Sequence, residues 1–513
     1  MKTEPTQSTP VTGEFNWEES GWRLVLIALA CMISVFLDQA TSGLEQAISN
    51  YVTGTLGGSS DEGLWLQIGY NACYYLSLIA SPWTITKFGR RNTWMYGHAM
   101  FAIASVAIAL THNLWGVVAL RAMQGLGQGT FFVIAVMTVL RIFPKPIAFI
   151  GFALFAITSL SGPALGPAIG GWFSDQNAWQ LAFVTEALMA STASLIIAFV
   201  LRDPPGSRVP TTPTDFLGLF LALLHYLTYH FVTIEGERRD WLGNSKIAAV
   251  TLLFTIVTVV FFWWEYRYTK PFILLRLFRS HNLRIGAFLG FFLGVPLFGG
   301  NIFLQYLQTG ISFTPGLAGG ELALRVFTIV LTIPFIAYSL GKNLIDVRYF
   351  IITGFVLVAI SYGLLYWETT YLSDFGTFVV PFILQGVAFS LLFSPIIRTV
   401  LSSLPAEDFT HGIAIFKLTL VTGGSFAATL LGYIVDHRAT LHFSQITEGI
   451  NLSQPAFSTY FQSPFPHPLI VLAGVAQQQS YISAYADANL YVAILALCVA
   501  PLALLLRPPP RRL

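Results

Sequence analysis

Two carboxylates, Asp38 and Glu45, interrupt the apolar segment VFLDQATSGLEQAI at 35–48. Seven residues make two turns of α-helix, so both side chains point to about the same face, ~10 Å apart along the axis. Ionisable groups inside a membrane are expensive and are usually retained for a function. We therefore consider Asp38 a candidate proton carrier. Glu45 is either a second proton or substrate site or an acid at the outer mouth of the cavity.

Other charged side chains interrupt apolar runs further along the chain. Arg121 lies in LRAMQGLGQG, and it must face a partner or water, or else extend to the nearer membrane interface. Glu321 and Arg325 are four residues apart, so they could neutralise each other on one helical face. Alternatively, Arg325 and Lys417 contact a cargo that carries carboxylates. We place Glu321, Arg325 and Lys417 in a predicted substrate cavity.

Four more polar residues in apolar runs are candidates for these two sites. Glu186 is assigned to proton coupling, and His225 and Gln124 to the substrate cavity. Together with Glu186, His225 and His230 could extend a proton path. A histidine near a helix end is more often interfacial, which is the alternative interpretation.

Composition indicates that lipid is the solvent for most of the chain. Of 513 residues, 55% are hydrophobic and 10% are charged, with a mean hydropathy of +0.66, whereas soluble domains carry about 25% charged residues. The net charge of +2 gives no electrostatic case for nucleic-acid binding. The three cysteines have no metal or disulfide spacing. Without a phosphate-binding loop, metal-ligand cluster or nucleophile motif, we predict a non-enzymatic protein that needs no cofactor or metal and uses the proton gradient.

Apolar runs of about 20 residues, the length of a membrane helix, recur fourteen times. The fold class predicted is an all-α integral membrane protein. If the N-terminus is cytoplasmic, most of the 27 Lys and Arg fall on the inner side, which is the positive-inside pattern. Both termini are then cytoplasmic. The predicted organisation is a tail (1–21), a six-helix bundle (22–201), a linker with two extra helices (202–266), a second six-helix bundle (267–506) that includes a long external loop (437–487), and a tail (507–513).

A glycine- and proline-rich stretch, SLSGPALGPAIGGW, covers residues 159–172. Its glycines lie one turn apart and would let two helix backbones approach closely. Its prolines each remove a backbone donor and allow a bend. Simple tight packing is an alternative to a specific role in transport. The residues concerned are Gly162, Pro163, Gly166, Pro167, Gly170 and Gly171.

These motifs together resemble the fourteen-helix drug:proton antiporters of the major facilitator superfamily, and most closely the EmrB-type permeases. The glycine–proline stretch resembles the antiporter motif of the fifth helix. The resemblance also rests on FLDQA (36–40), RAMQG (121–125), LFRSHNLRIG (277–286), LQGVAFSLLFSPIIRTVLSSLPAED (384–408) and HRATLHFSQITEGIN (437–451). The likeness implies a major facilitator fold of two six-helix bundles plus two inserted helices.

The resemblance also implies roles for particular residues. Asp38 and Arg121 would form a pair that separates and rejoins as the transporter alternates between its inward-open and outward-open states. A basic run, Lys87, Gly89, Arg90 and Arg91, would form the cytoplasmic gate. The sequence departs from the family pattern at Pro82 and Thr86, where a glycine and an acid are usual, at Ala40, where Thr is usual, and at Glu186, where related permeases tend to have Asn.

The implied function is proton-driven export of drugs or amphipathic small molecules across a bacterial inner membrane. EmrB-type permeases work with a periplasmic membrane-fusion adaptor and an outer-membrane channel, and segment 437–487 would contact that adaptor unless it is merely a flexible loop. Alternatives are an exporter of a carboxylate-bearing metabolite such as a siderophore, and a proton-coupled or facilitative importer of the same fold. A scaffold or sensor that moves nothing is disfavoured, because buried charges are costly without a function.

Overall fold

The computed structural model describes residues 17–144, 147–203, 208, 209, 211, 213–450 and 468–507. Within these residues the chain is helical, and its elements are α1 (Trp17–Thr55), α2 (Ser60–Phe88), α3 (Arg90–Leu110), α4 (Leu114–Gln128), α5 (Phe131–Ile142), α6 (Ala148–Asp175), α7 (Trp179–Val200), α8 (Phe216–Glu235), α9 (Ser245–Arg267), α10 (His281–Gln305), α11 (Pro315–Gly341), α12 (Val347–Glu368), α13 (Val379–Ser402), α14 (Phe409–Glu448) and α15 (Pro468–Val499). The predicted all-α membrane class is confirmed.

Helices α4 and α5 form one span that is interrupted at Gly129 and Thr130, so the described elements make fourteen segments of membrane-crossing length. Thirteen of these are also apolar enough to cross a membrane by composition. The remaining one, the 29-residue α2, is more polar because Gln67, Asn71 and several tyrosines lie along it. It begins with a capping box in which Ser59 and Glu62 bond each other's backbone.

The spans pack as two groups, α1–α7 and α10–α15, which we call the N half and the C half. The halves meet mainly where α6 packs on α11 and where α14 contacts α2 and α5. Helices α8 and α9 pack on each other, and α8 also contacts α2 and α14. We call the face that carries the start of α1 and the end of α15 the termini face, and the other one the opposite face.

On the termini face the two halves are in contact. The Phe155 ring of α6 lies 5.9 Å from the Phe393 ring of α13, and the Phe149 ring lies 5.7 Å from that of Tyr338 in α11. The Thr410 hydroxyl of α14 is 3.4 Å from a sulfur of the N half, that of Met137. The space between the halves is therefore closed on this side and can open only on the opposite face.

Segment 437–487 differs from the long loop that we predicted. Helix α14 continues to Glu448 and α15 begins at Pro468, so much of the segment is helical; residues 451–467 lie outside the described part. A 40-residue helix is about 60 Å long, twice the ~30 Å hydrocarbon thickness, so α14 extends beyond a membrane. Asp487 of α15 accepts hydrogen bonds from Arg438 (2.6 Å) and His442 (2.8 Å) of α14. Because this part of α14 carries polar side chains that bond to α15, a search for apolar runs ended the helix too early.

Glycines make the helix contacts around α6 unusually close. A Cβ at Gly162 would reach the backbone carbon of Gln39 in α1 at 3.0 Å, and one at Gly319 in α11 would lie 2.5 Å from the Cα of Ala168. The predicted antiporter motif thus packs α6 backbone to backbone against α1, and α6 packs equally tightly on α11. Since this contact joins the two halves, α6 and α11 form their common support. Pro163 and Pro167 lie inside α6 without ending it.

We predict that Gly319→Ala lowers the melting temperature of the purified protein, because its methyl group would overlap the α6 backbone. Overpacking of this kind costs about 1–3 kcal/mol. Gly320→Ala is the matched control, since a Cβ there meets nothing within 4 Å and alanine favours helix over glycine. Thermal unfolding in detergent measures both variants. Equal melting temperatures for the two would contradict the close α6–α11 contact.

Candidate functional site

A cavity of about 370 Å³ lies between the halves and opens on the opposite face. Its walls come from α1, α2, α8, α10 and α14. The lining is rich in hydrogen-bonding side chains, among them Gln39, Gln46, Gln67, Asn71 and Gln305, the tyrosines Tyr70, Tyr74 and Tyr75, and the charged residues Asp38, Arg238, Lys417 and Asp436. Such a surface offers hydrogen-bonding groups, aromatic rings and charges to a bound molecule.

The floor of this cavity is an ion pair between the two halves. Lys417 Nζ of α14 lies 2.7 Å from Asp38 Oδ2 of α1, and both side chains are almost completely buried. Lys417 also donates to Gln39 Oε1 at 2.8 Å, and the Tyr74 hydroxyl donates to Asp38 Oδ1 at 2.9 Å. The Lys417 ammonium lies 4.9 Å from the centre of the Phe132 ring. Each charge therefore has an opposite charge and a further polar partner.

A second polar cluster lies within the N half. Arg121 forms an ion pair with Glu45 and donates a 2.7 Å hydrogen bond to Gln124. The Gln124 amide donates in turn to Ser105 (2.6 Å) and to Glu186 (3.3 Å). We call Glu45, Arg121, Gln124 and Glu186 the N-half network. It joins α1, α4, α3 and α7 in one buried hydrogen-bonded set.

The predicted pairing of Asp38 with Arg121 is not found in this structure. Arg121 forms its ion pair with Glu45 instead, so these two lie at about the same depth. Asp38 lies two turns deeper, at the level of Lys417. The sequence showed that both acids share a helical face, but it did not show which cation each one meets.

The expected ion pair within α11 is also missing. Glu321 and Arg325 are both buried, but no salt bridge joins them, and among the described residues neither carboxylate oxygen of Glu321 has a hydrogen-bond partner. The Arg325 guanidinium instead lies 5.1 Å from the centre of the Phe382 ring and 5.9 Å from that of Phe389, in cation–π range. Neither residue lines the cavity between the halves. Lys417 does line this cavity, and the roles of Glu321, Arg325 and Lys417 in substrate binding stay predictions.

Helix α8 supplies part of the cavity wall, but not through its histidines. His225 Nδ1 lies 3.0 Å from the Thr258 hydroxyl of α9, and the His230 ring packs edge-on at 4.8 Å against Tyr75. Both rings are held between helices rather than at a membrane interface, and neither His225 nor Gln124 lines the cavity as we had predicted. The wall residues are Thr233 and Ile234, one turn further along α8.

The predicted cytoplasmic gate residues bind the N half to the segment that follows α7. The backbone N–H of Arg91 donates to Asp203 at 2.9 Å, and its guanidinium donates to the Ala198 carbonyl at 2.6 Å. Lys87 bonds the Thr214 hydroxyl, and Gly89 has the left-handed φ of +86° that suits glycine. Related permeases usually have an acid at the position of Thr86. In this chain Asp203 places a carboxylate next to the same basic run.

Comparisons with known proteins place the chain in a family. The sequence profile of the Major Facilitator Superfamily matches residues 24–312, more than half of the chain. The chain belongs to this superfamily. It is therefore a transporter rather than an enzyme, as expected, and no group of three or more His, Cys, Asp or Glu in the described residues could hold a metal ion.

Individual relatives refine this superfamily assignment. The chain is 24% identical over 453 residues to the multidrug export protein EmrB of Haemophilus influenzae, covering 86% of each protein. It is 25% identical to EmrB of Escherichia coli K12 (85% of each) and 23% identical to the fatty acid resistance protein FarB of Neisseria gonorrhoeae (95% of this chain, 97% of FarB). The predicted resemblance to EmrB-type permeases is confirmed.

Solved structures share the fold at low sequence identity. A POT family transporter in complex with 5-aminolevulinic acid superposes with a TM-score of 0.59 at 14% identity, covering 93% of this chain and 96% of that one. The human organic anion transporter MFSD10 gives a TM-score of 0.52 at 12% identity, with 93% and 99% covered. The predicted major facilitator fold is thereby confirmed, and these two likenesses carry no information on substrate.

Sequence reasoning missed the polar face of α2. Gln67, Tyr70, Asn71 and Tyr74 follow the spacing i, i+3, i+4, i+7, which places them on one side of a helix, and all four line the cavity. Apolar side chains with this spacing indicate the buried face of a helix. Polar side chains with the same spacing in a membrane helix were the signal that could have identified this cavity wall. No local pattern could have identified Lys417 as the partner of Asp38, because the two are 379 positions apart.

We predict that the Asp38–Lys417 pair behaves as a coupled unit in stability measurements. Asp38→Asn or Lys417→Met alone leaves one buried charge without its counter-charge, at a cost of about 3–5 kcal/mol. The double variant removes both charges and should recover most of that loss. A double-mutant cycle based on thermal unfolding in detergent gives the coupling. If the two single effects simply add, the ion pair does not exist in the folded protein.

Proposed function

We propose that this transporter is a proton-coupled antiporter that exports amphipathic small molecules by alternating access. The observation that carries the proposal is the Asp38–Lys417 pair, because it lies at the floor of the cavity and joins the two halves. Anything that neutralises Asp38 weakens a contact that must break when the halves rearrange. A bound proton and a cationic cargo both do so, and they would compete for the same carboxylate.

The charge of Lys417 explains why such a competition would change the conformation. Once Asp38 is neutral, the Lys417 ammonium is left in a low-dielectric site beside Gln39 and the Phe132 ring. An uncompensated charge in a membrane protein is costly, so the surrounding helices would move to hydrate or re-pair it. Removal of the proton restores the pair. Proton binding would therefore be linked to opening and closing of the cavity.

The direction of transport follows from the orientation that we propose. Most Lys and Arg are on the termini face, so this face would be cytoplasmic under the positive-inside rule. The cavity would then face the outside of a bacterial inner membrane, and the structure would represent the outward-open state. Export driven by the proton gradient would require protons to bind in this state, as cargo leaves.

A cargo with a carboxylate is the second candidate, and it is favoured by Lys417. This residue is one of two basic side chains in the cavity lining, and Arg238 at the mouth is the other. A carboxylate would replace Asp38 as the partner of Lys417, leaving Asp38 free to take a proton. FarB, whose name refers to fatty acid resistance, is among the relatives of similar length.

We also propose that the chain works as the permease of a tripartite efflux system. Helix α14 is joined to the middle of α15 by the hydrogen bonds from Arg438 and His442 to Asp487, and the parts of both helices nearer the opposite face would extend beyond the membrane. Leu469 and Ile470, in the first turn of α15, expose 57% and 69% of their surface. Exposed apolar side chains in a projecting helical hairpin are suited to binding a periplasmic membrane-fusion adaptor, which would lead to an outer-membrane channel.

We predict that binding of a cationic cargo releases protons from the purified protein. Tetraphenylphosphonium is the cationic probe and decanoate the carboxylate probe, added to protein in weakly buffered detergent solution with a pH dye. Wild type should release protons with the cation, and Asp38→Asn should not. For decanoate, Lys417→Gln should abolish binding. Binding of either probe without any proton change in wild type would contradict antiport through Asp38.

We predict that the double variant Leu469→Asp/Ile470→Asp loses drug resistance in cells while the purified protein transports normally in liposomes. Charges on this surface would disrupt an apolar contact with the adaptor but would leave the cavity unchanged. Leu372→Asp is the control, because Leu372 is 89% exposed in the α12–α13 connection on the same face. If cells carrying the double variant and cells carrying the control are both as resistant to the drug as wild-type cells, this surface is excluded as the adaptor site.

A further inference from the structure

A second, smaller opening lies beside the cavity, between the opposite-face ends of α1 and α2. It encloses about 90 Å³ and we call it the α1–α2 crevice. Nearly all of its lining is polar or small, and consists of Ser42, Glu45, Gln46, Ser49, Asn50, Thr53, Gly63, Leu64 and Gln67. A void of this size holds about three water molecules at ~30 Å³ each, and polar walls are what ordered water needs. Drug-sized ligands occupy pockets of about 300 Å³ or more, so the crevice is too small for cargo.

The crevice leads to Glu45, the residue through which the N-half network meets α1. Three of its lining residues, Ser42, Gln46 and Gln67, also line the cavity and so form a partition between the two spaces. Glu45 itself lines the crevice and not the cavity. Asp38 lines the cavity and not the crevice. The two acids of α1 therefore face two different openings on the same side of the protein.

The N-half network has one acid more than it has cations. Within the part of the chain that the structure describes, Arg121 is the cation that balances Glu45 and Glu186, and one carboxylate oxygen of Glu186 has no hydrogen-bond partner. The other ionisable residues near it are Tyr70 of α2, whose ring lies 4.2 Å from the Arg121 guanidinium and whose hydroxyl donates to Gln128, and, one layer deeper, the paired Asp38 and Lys417. Because that deeper pair is neutral as a whole, it does not cancel the surplus. A proton on one of the two glutamates would remove the buried net charge.

From this placement we infer that the α1–α2 crevice is a proton path to the N-half network, separate from the cavity that holds cargo. A proton would pass along water in the crevice to Glu45, and once Glu45 is protonated the charge of Arg121 would be left to balance Glu186. The inference deepens the proposed antiport, since it gives the transporter a second proton site that a bound cargo does not block. One proton could then load while cargo is still in the cavity.

The test measures how fast protons bind after a rapid drop in pH, with no cargo present. Infrared absorption of protonated carboxyl groups is the readout, and its loss in Glu45→Gln identifies the band of the network. Ser49→Leu fills the crevice with an apolar side chain, and Asn71→Leu adds the same side chain to the cavity. We expect Ser49→Leu to slow the network band by about tenfold, equivalent to ~1.4 kcal/mol in barrier, with its final amplitude unchanged.

Asn71→Leu should leave the rate of this band within about twofold of wild type, well below the tenfold step. Slowing by Asn71→Leu alone, or no slowing by Ser49→Leu, would overturn the inference. Should Ser49→Leu fold poorly, Ser49→Cys treated with a small methanethiosulfonate blocks the crevice in folded protein, and reduction must restore the rate. Absence of cargo-induced proton release would count against antiport, yet it would leave this proton-binding rate measurable, so the two failures are distinguishable.

Discussion

A buried charge in a membrane needs a partner, and the Asp38–Lys417 ion pair satisfies that requirement across the junction of the two halves. Its ammonium and carboxylate are 2.7 Å apart, and both side chains are almost completely buried at the floor of the cavity. Because the partners belong to different halves, the ion pair separates only when the halves move relative to each other. The cavity, the polar face of α2 and the closed termini face are all arranged around this contact.

The glycine contacts of α6 explain how the pair is held in register. Gly162 brings α6 against α1 beside Gln39, next to Asp38, and α6 in turn supports α11 of the other half. Backbone-to-backbone contacts leave little freedom for α1 to rotate, so Asp38 stays directed at Lys417. What we first considered as an alternative to a transport role, tight packing, is thus the means by which this motif positions the site.

Much of the architecture could be predicted from the sequence, because lipid imposes a simple rule of apolar length on each span. The importance of Asp38, Glu45 and Arg121 was also visible, since charges stand out in apolar runs. Their pairing was not, because it depends on the depth of each residue in a different helix. Arg325 shows the same limit: its neighbour Glu321 is on the same helix, yet its contacts are the aromatic rings of α13. Helix α14 was cut short in our prediction because the third of it nearest the opposite face is polar.

The central claim is that protonation of Asp38 weakens the link between the halves on the termini face and favours closure of the cavity mouth. Spin labels at Thr55 of α1 and Thr440 of α14, both exposed on the opposite face, would report the width of the mouth. The account predicts that acidification shifts wild type toward the shorter distance, and that the Asp38→Asn/Lys417→Met variant is already shifted and responds less to pH. An identical pH response in wild type and the double variant would contradict it.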